Sequence, residues 1–149
     1  MSLGILRRSI CGLCVACSLI VPAMAAGTYT DVPEGSWYAE AVEEMAQQEI
    51  LTGVTATLFC PTAPVTRATV VTSLWRMEGS PDVSNDSGFT DVPPDQWYTQ
   101  AVNWAAQEKI VSGDGKGNFL PDDSVTREQL AVFFITTHSI WGKRPPKGY

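Results

Sequence analysis

Apolar residues recur at helical spacing in four segments of the chain. In the first and third segments, a tryptophan is followed four, five and eight residues later by an apolar side chain. The positions are Trp37, Ala41, Val42 and Met45; Val70, Leu74 and Trp75; Trp97, Ala101, Val102 and Ala105; and Leu130, Phe133 and Phe134. Because such spacing gathers side chains on one helical face, the pattern predicts four amphipathic helices with both tryptophans in the core.

Residues with preferences for helix ends flank these segments. An Asp-Val-Pro turn precedes each tryptophan, and proline suits this place because it presets φ. Thr66 and Thr126 stand where a hydroxyl can cap a helix, and Gln129 can complete a capping box. Gly53 and Gly113 are expected to take the positive φ that ends a helical segment. Since no convincing strand alternation is visible, the predicted fold class is all-α.

The chain contains an internal repeat. Residues 29–78 align without gaps with residues 89–138 at an offset of sixty, and seventeen of the fifty pairs are identical. Each unit is predicted to be helix, loop, helix, and two such helices cannot bury their apolar faces alone. We therefore expect a unit at 26–80, a linker at 81–88, a second unit at 89–139 and a basic, proline-rich tail at 140–149.

Residues 1–25 have the pattern of a secretory signal. Arg7 and Arg8 precede an uncharged run over residues 9–24, which ends in the small-x-small triplet of residues 23–25. A membrane anchor is the alternative, but the run is shorter than the ~20 residues of a span. Cleavage after Ala25 predicts a secreted chain without a stable membrane span. It would also remove every cysteine except Cys60.

Charge and composition exclude several function classes. Residues 26–149 carry eight basic and sixteen acidic side chains, a net charge of −8, which disfavours nucleic acid as a partner. Asp114 and Asn118 begin like a calcium loop, but Phe119 and Val125 stand where that loop needs glycine and glutamate. No arrangement of nucleophile, base and orienting group can be named. We therefore expect neither an enzyme nor a cofactor or metal site.

The ordered elements Phe/Tyr-x-Asp-Val, Trp-Tyr, Ile-x-x-Gly, Phe-x-Pro and Val-Thr-Arg occur in both units. They resemble the motif of S-layer homology domains in bacterial surface proteins. The resemblance implies non-covalent attachment to the cell wall through secondary wall polysaccharide, often bearing ketal-linked pyruvate. It also implies a pseudo-threefold helical body of three motifs, with ligand grooves between neighbours, of which this two-motif chain is an incomplete version.

The Val-Thr-Arg triplets supply the first ligand candidates. Arg67 and Arg127 fall in the first turn of a helix, where the positive end of the macrodipole disfavours a cation. An anion there would be held by free N–H groups and the guanidinium together. The resemblance likewise implies that these arginines contact the ligand. A salt bridge to Asp31 or Asp91 remains the alternative.

The other candidate ligand residues have structural alternatives. Asp31 and Asp91 are expected mainly to tie down the turn before the first helix of each unit, with ligand contact secondary. Trp37 and Trp97 are expected in the core, with a sugar-stacking platform as the alternative.

The chain departs from the family pattern in two ways, and the second of them allows another function. Thr69 and Gln129 stand where the family prefers glutamate, and only two motifs are present. Instead of binding polysaccharide, the chain would then act in protein–protein interaction. It would complete a three-motif body as a homo-oligomer or with another S-layer homology protein.

Overall fold

The structure, a computed structural model, describes residues 29–142 and contains four helices. They are α1 (Ala39–Gln47), α2 (Arg67–Met77), α3 (Thr99–Gln107) and α4 (Arg127–Trp141). Within the described range no strand is formed, and extended pairing is limited to an isolated bridge between Thr66 and Ser124. The predicted all-α class is confirmed. The predicted signal lies outside the described residues, and α4 extends two residues into the predicted tail.

Threonine side chains start the second helix of each unit, as the sequence predicts. Thr66 Oγ1 accepts a hydrogen bond from the Thr69 N–H at 3.2 Å. Thr126 Oγ1 accepts from the Gln129 N–H at 3.3 Å, and Gln129 Oε1 accepts from the Thr126 N–H at 3.1 Å. This reciprocal pair is a capping box, and it satisfies two N–H groups that the helix itself leaves unpaired.

The prediction that Gly53 and Gly113 end the first helical segments, α1 and α3, with a positive φ is wrong. Glu49 and Lys109, with φ of 55° and 59°, take the left-handed conformation directly after these helices. Gly53 and Gly113 instead lie where two pieces of backbone meet. A Cβ on Gly113 would lie 2.3 Å from the Asn118 carbonyl oxygen, a distance that real Cβ atoms do not reach. The glycine is therefore required for close packing of the loop.

The core is built mainly from the second unit and α2. Ala68, Val71 and Leu74 of α2 pack with buried residues of α3 and of the segments around it. The buried cluster is Ala68, Val71, Leu74, Val92, Tyr98, Ala101, Val102, Trp104, Ala105, Ile110, Val111, Phe119 and Phe133. Helix α2 of one unit thus packs on α3 of the next, and this contact joins the two units.

The prediction that both tryptophans lie in the core is wrong. Trp37 is 93% exposed and Trp97 is 59% exposed. Helices α1 and α3 begin two residues after these tryptophans, so the indoles belong to the preceding turn and not to the apolar stripe. Both rings lie edge-on to the following tyrosine, with centroids 5.4 Å and 5.2 Å apart.

Substituting Gly113 tests the close approach of the loop. We expect Gly113→Ala to lower the free energy of unfolding by about 1–3 kcal/mol, because the new methyl overlaps backbone that must move. Gly142→Ala is the control, since its Cβ would lie 3.6 Å from the nearest atom. Urea unfolding of both variants measures the difference. Equal midpoints would show that the loop yields easily.

Substituting Thr126 tests the capping box. Thr126→Ala removes the acceptor for the Gln129 N–H and should lower the unfolding free energy by about 1 kcal/mol. Thr126→Ser keeps the hydroxyl and should retain most of that stability. Thermal and urea unfolding provide the comparison. A serine variant as unstable as the alanine variant would locate the effect in the threonine methyl group instead.

Candidate functional site

The N-terminus of α2 enters a loop of the second unit. The Arg67 N–H donates to the Asp123 carbonyl at 2.9 Å, and the Ala68 N–H donates to the Pro121 carbonyl at 2.9 Å. These are among the first N–H groups of the helix, which find no acceptor within it. The loop over residues 119–124 supplies those acceptors. We call this contact the motif junction.

The Arg67 side chain is buried in the motif junction. Its Nε donates to the Phe119 carbonyl at 2.8 Å and its Nη2 donates to the Ser112 carbonyl at 3.3 Å. The guanidinium carbon lies 4.7 Å from the Phe119 ring centroid and 5.5 Å from that of Phe133. With 7% of the residue exposed, Arg67 fastens the two units together by hydrogen bonds and cation–π contact. Its additional role as an anion receptor stays a prediction.

Burial and nearby carboxylates act on this guanidinium in opposite directions. Loss of solvent lowers the pKa of Arg67, while the negative charges of Asp123 and Asp91 raise it. Burial has the larger effect, so the net direction is downward. An arginine nevertheless stays protonated in proteins, so the junction contains a permanent positive charge. Two of its N–H groups are bonded to carbonyls, and others remain as donors.

Arg127 occupies the same position of the repeat in a different environment. It is exposed at the first turn of α4. Within residues 29–142, no protein group accepts the backbone N–H groups of Arg127 and Glu128. The structure therefore separates the two sequence-predicted arginines, because Arg67 is buried between the units and Arg127 is exposed at the start of α4.

Asp91 and Asp31 each hold a loop of their own unit. The carboxylate of Asp91 accepts from the N–H groups of Phe119 and Leu120, both at 2.7 Å, and Leu120 has a left-handed φ of 63°. Asp31 makes the same two bonds one repeat earlier, at 2.9 and 2.6 Å. Backbone N–H donation lowers the pKa of Asp31. Each aspartate thus ties the turn before the first helix of its unit to the loop before the second helix, and their secondary role in ligand contact stays a prediction.

The glycine-rich loop of the second unit is closed by its own aspartate. Asp114 Oδ1 accepts from the N–H groups of Lys116 and Asn118 at 2.7 and 3.1 Å, and Oδ2 accepts from the Asn118 side chain at 2.9 Å. The Asn118 amide is the main cause of the lowered pKa of Asp114. Among residues 29–142, no group of three or more His, Cys, Asp or Glu side chains is arranged to hold a metal ion.

The exposed tryptophans give the surface its second chemical feature. Trp37 and Trp97 occupy equivalent turns and present an apolar ring to solvent in both units. Such a ring can pack against the C–H face of a sugar. This arrangement fits the sugar-platform alternative. As a separate finding, each helix in the described part of the chain is too short or too polar to cross a bilayer.

Sequence reasoning missed the residues that complete the motif junction. Ser112 contributes only its carbonyl oxygen, which no sequence pattern reveals. Phe133 is aligned with Ser73 in the first unit, so the repeat gave no reason to pair it with an arginine. The available signal was the recurrence of Phe-x-Pro in both units, which places Phe59 and Phe119 at equivalent positions of the repeat.

The environments of the two arginines predict different stability effects. Arg67→Met leaves the carbonyls of Phe119 and Ser112 without their donors and should lower the unfolding free energy by about 1–3 kcal/mol. Arg127→Met should change it by less than about 0.5 kcal/mol, because its side chain is exposed. Urea unfolding of both variants is the measurement. Equal losses of unfolding free energy would show that the buried contacts of Arg67 stabilise the fold no more than the exposed side chain of Arg127 does.

Comparison with known proteins agrees with the repeat and its motifs. The sequence profile of the S-layer homology domain matches residues 28–71 and 88–131, together more than half of the chain. An endoglucanase of Bacillus sp. (strain KSM-635) is 33% identical over 130 residues, which cover 81% of this chain and 14% of that enzyme.

Surface proteins match the same region. A cell surface protein of Thermoanaerobacter kivui is 32% identical over 142 residues, covering 89% of this chain and 19% of that protein. The S-layer protein EA1 of Bacillus anthracis is 24% identical over 127 residues, covering 84% of this chain and 15% of that protein. The chain spans less than a fifth of the length of each of these relatives. The chain therefore belongs to the S-layer homology domain family and is a bacterial cell-surface protein associated with the cell wall.

Proposed function

We propose that the chain binds secondary cell-wall polysaccharide non-covalently, and that it recognises an anionic sugar such as one bearing ketal-linked pyruvate. The observation that carries this proposal is the exposure of Trp37 and Trp97 in equivalent turns of both units. A protein gains no folding energy from an indole left in water, whereas covering it with ligand removes apolar area from solvent. Two such rings suit a ligand made of repeating sugars.

The anionic character of the ligand is inferred from Arg127. This exposed guanidinium lies at the positive end of the α4 macrodipole, next to backbone N–H groups without an acceptor in the described chain. A carboxylate placed there receives a charge-assisted hydrogen bond and removes the unfavourable pairing of cation and dipole. Because residues 26–149 carry a net charge of −8, this attraction is local and is screened by salt.

Arg67 serves the same proposal from inside the motif junction. Its two carbonyl contacts fix the guanidinium plane between the units, and donors beyond those two remain for a ligand at the groove edge. Fixing the plane in advance lowers the conformational entropy that binding would otherwise remove. Arg67 is therefore a positioning and contact residue here, whereas Arg127 is free to reach a ligand alone.

The identity of the relatives supports binding over catalysis. The segment that they share with this chain is found in a protein named an endoglucanase and in others named S-layer or cell surface proteins. In each case it is a small part of the whole protein. A property common to proteins with such different names is attachment, not one reaction. We therefore propose that the chain acts without catalysing a reaction.

Sedimentation of the mature chain, residues 26–149 after the predicted signal cleavage, with purified bacterial cell walls tests this proposal. Trp97→Ala and Arg127→Ala should each weaken binding about tenfold or more, because they remove a stacking surface and a charge-assisted contact. Val54→Ala and Lys116→Ala are controls that remove an exposed apolar and an exposed cationic side chain elsewhere. Walls stripped of secondary polymer should retain little protein. Normal binding by both test variants, with normal melting, would refute the proposal.

A further inference from the structure

Helix α4 exposes the helical face that α2 buries. Ile135 is 63% exposed and Phe134 is 54% exposed, although both are large apolar residues. The equivalent face of α2 is packed on α3. Exposed Ala131, Val132 and Phe134 correspond to buried Val71, Thr72 and Leu74. Helix α4 thus carries an apolar surface of the same kind that already forms an interface between α2 and α3.

The first unit carries the complementary surface. Five residues of the second unit that are buried in the cluster with α2 recur unchanged sixty positions earlier, where they are exposed or half-buried. These are Val32, Tyr38, Ala41, Ile50 and Phe59. We call this set the acceptor face. These five residues are identical to ones that receive α2, so the acceptor face offers a helix like α2 part of the same contact, although Glu44 and Met45 stand where the cluster has Trp104 and Ala105.

In the described chain, some backbone N–H and carbonyl groups lack partners at positions equivalent to those bonded in the motif junction. In the motif junction, the Arg67 and Ala68 N–H groups donate to the carbonyls of Asp123 and Pro121. Sixty residues later, at the start of α4, the corresponding N–H groups have no acceptor in the described chain. Sixty residues earlier than the loop, no described residue donates to the carbonyls of Ala63 and Pro61. Within residues 29–142, donors at the start of α4 and acceptors in the first unit thus lack partners in equivalent positions.

We propose that α4 of one copy docks on the acceptor face of a second copy, head to tail, and so repeats the motif junction between chains. The Arg127 and Glu128 N–H groups would then donate to the partner's backbone at Ala63 and Pro61, so docking competes with the carboxylate contact proposed above for the same groups. The occupant is a second copy because the chain already contains one such contact, between α2 and the second unit, and because equivalents of both its surfaces recur in α4 and in the first unit. Such an interface is heterologous, since each copy contributes a different surface.

Glu128 sets the strength of this contact. It stands in the position of Ala68, which is completely buried in the motif junction. Docking would remove the Glu128 carboxylate from water, which is unfavourable unless it is paired. The contact between chains is therefore weaker than the one inside the chain. Glu128→Ala restores the residue of the first unit and should strengthen association about tenfold or more.

Sedimentation velocity of the mature chain without any polysaccharide tests the proposal. The average mass should rise with protein concentration across the micromolar range. Ile135→Lys charges the α4 face, and Ala41→Lys fills a position whose counterpart Ala101 is fully buried. Each should weaken association at least about tenfold. Ser139→Lys is the control, because Ser139 is exposed on α4 and its counterpart Gly79 is exposed too.

Mixing the two blocked variants distinguishes head-to-tail docking from a symmetric dimer. Ile135→Lys retains its acceptor face and Ala41→Lys retains its α4 face, so a mixture should form a complex of two chains while each variant alone stays monomeric. Unchanged circular dichroism would show that both variants fold. A mass that stays monomeric at all concentrations, for wild type and Glu128→Ala alike, would overturn the proposal. A mixture that forms no complex would do the same.

Discussion

The structure depends on the unpaired N–H groups at the start of a helix. A helix cannot satisfy these donors itself, and in α2 the loop of the following unit provides the acceptors. That requirement fixes where α2 enters, which in turn brings Arg67 against Phe119 and places the apolar face of α2 on α3. Asp91 holds the accepting loop in shape by two bonds to its backbone. The N-terminus of α2 in the first unit is therefore completed by backbone carbonyls from a loop of the second unit.

Features governed by neighbouring residues could be predicted from the sequence. The threonine caps and the Gln129 capping box involve residues three positions apart, and the structure has them as expected. The all-α class follows from helical spacing in the same way. Repetition at an offset of sixty residues made each assignment stronger, because two independent segments had to satisfy it.

Features governed by tertiary contact could not be predicted. Arg67 and Arg127 both follow a Val-Thr pair, yet Arg67 is buried against a loop of the second unit and Arg127 is exposed. Trp37 and Trp97 match the helical period but lie before the helix begins, where the chain turns outward. Gly113 resembles a helix terminator, although its small size is needed for a backbone contact five residues further along. The spacing of apolar residues in the sequence does not specify which residues meet another unit or another segment of the chain.

Reciprocity within the motif junction has a consequence for how such chains change in evolution. The bridge between Thr66 and Ser124 and the bond from the Val125 N–H to the Val65 carbonyl, at 3.0 Å, join the same part of both units. In this junction the first unit carries the donor surface and the second unit the acceptor surface, and under the head-to-tail proposal each unit carries both. A gene duplication that appends one unit would supply a finished contact at once, and a deletion would leave matching ends. The length of such a protein can drift in whole units without any new surface having to arise.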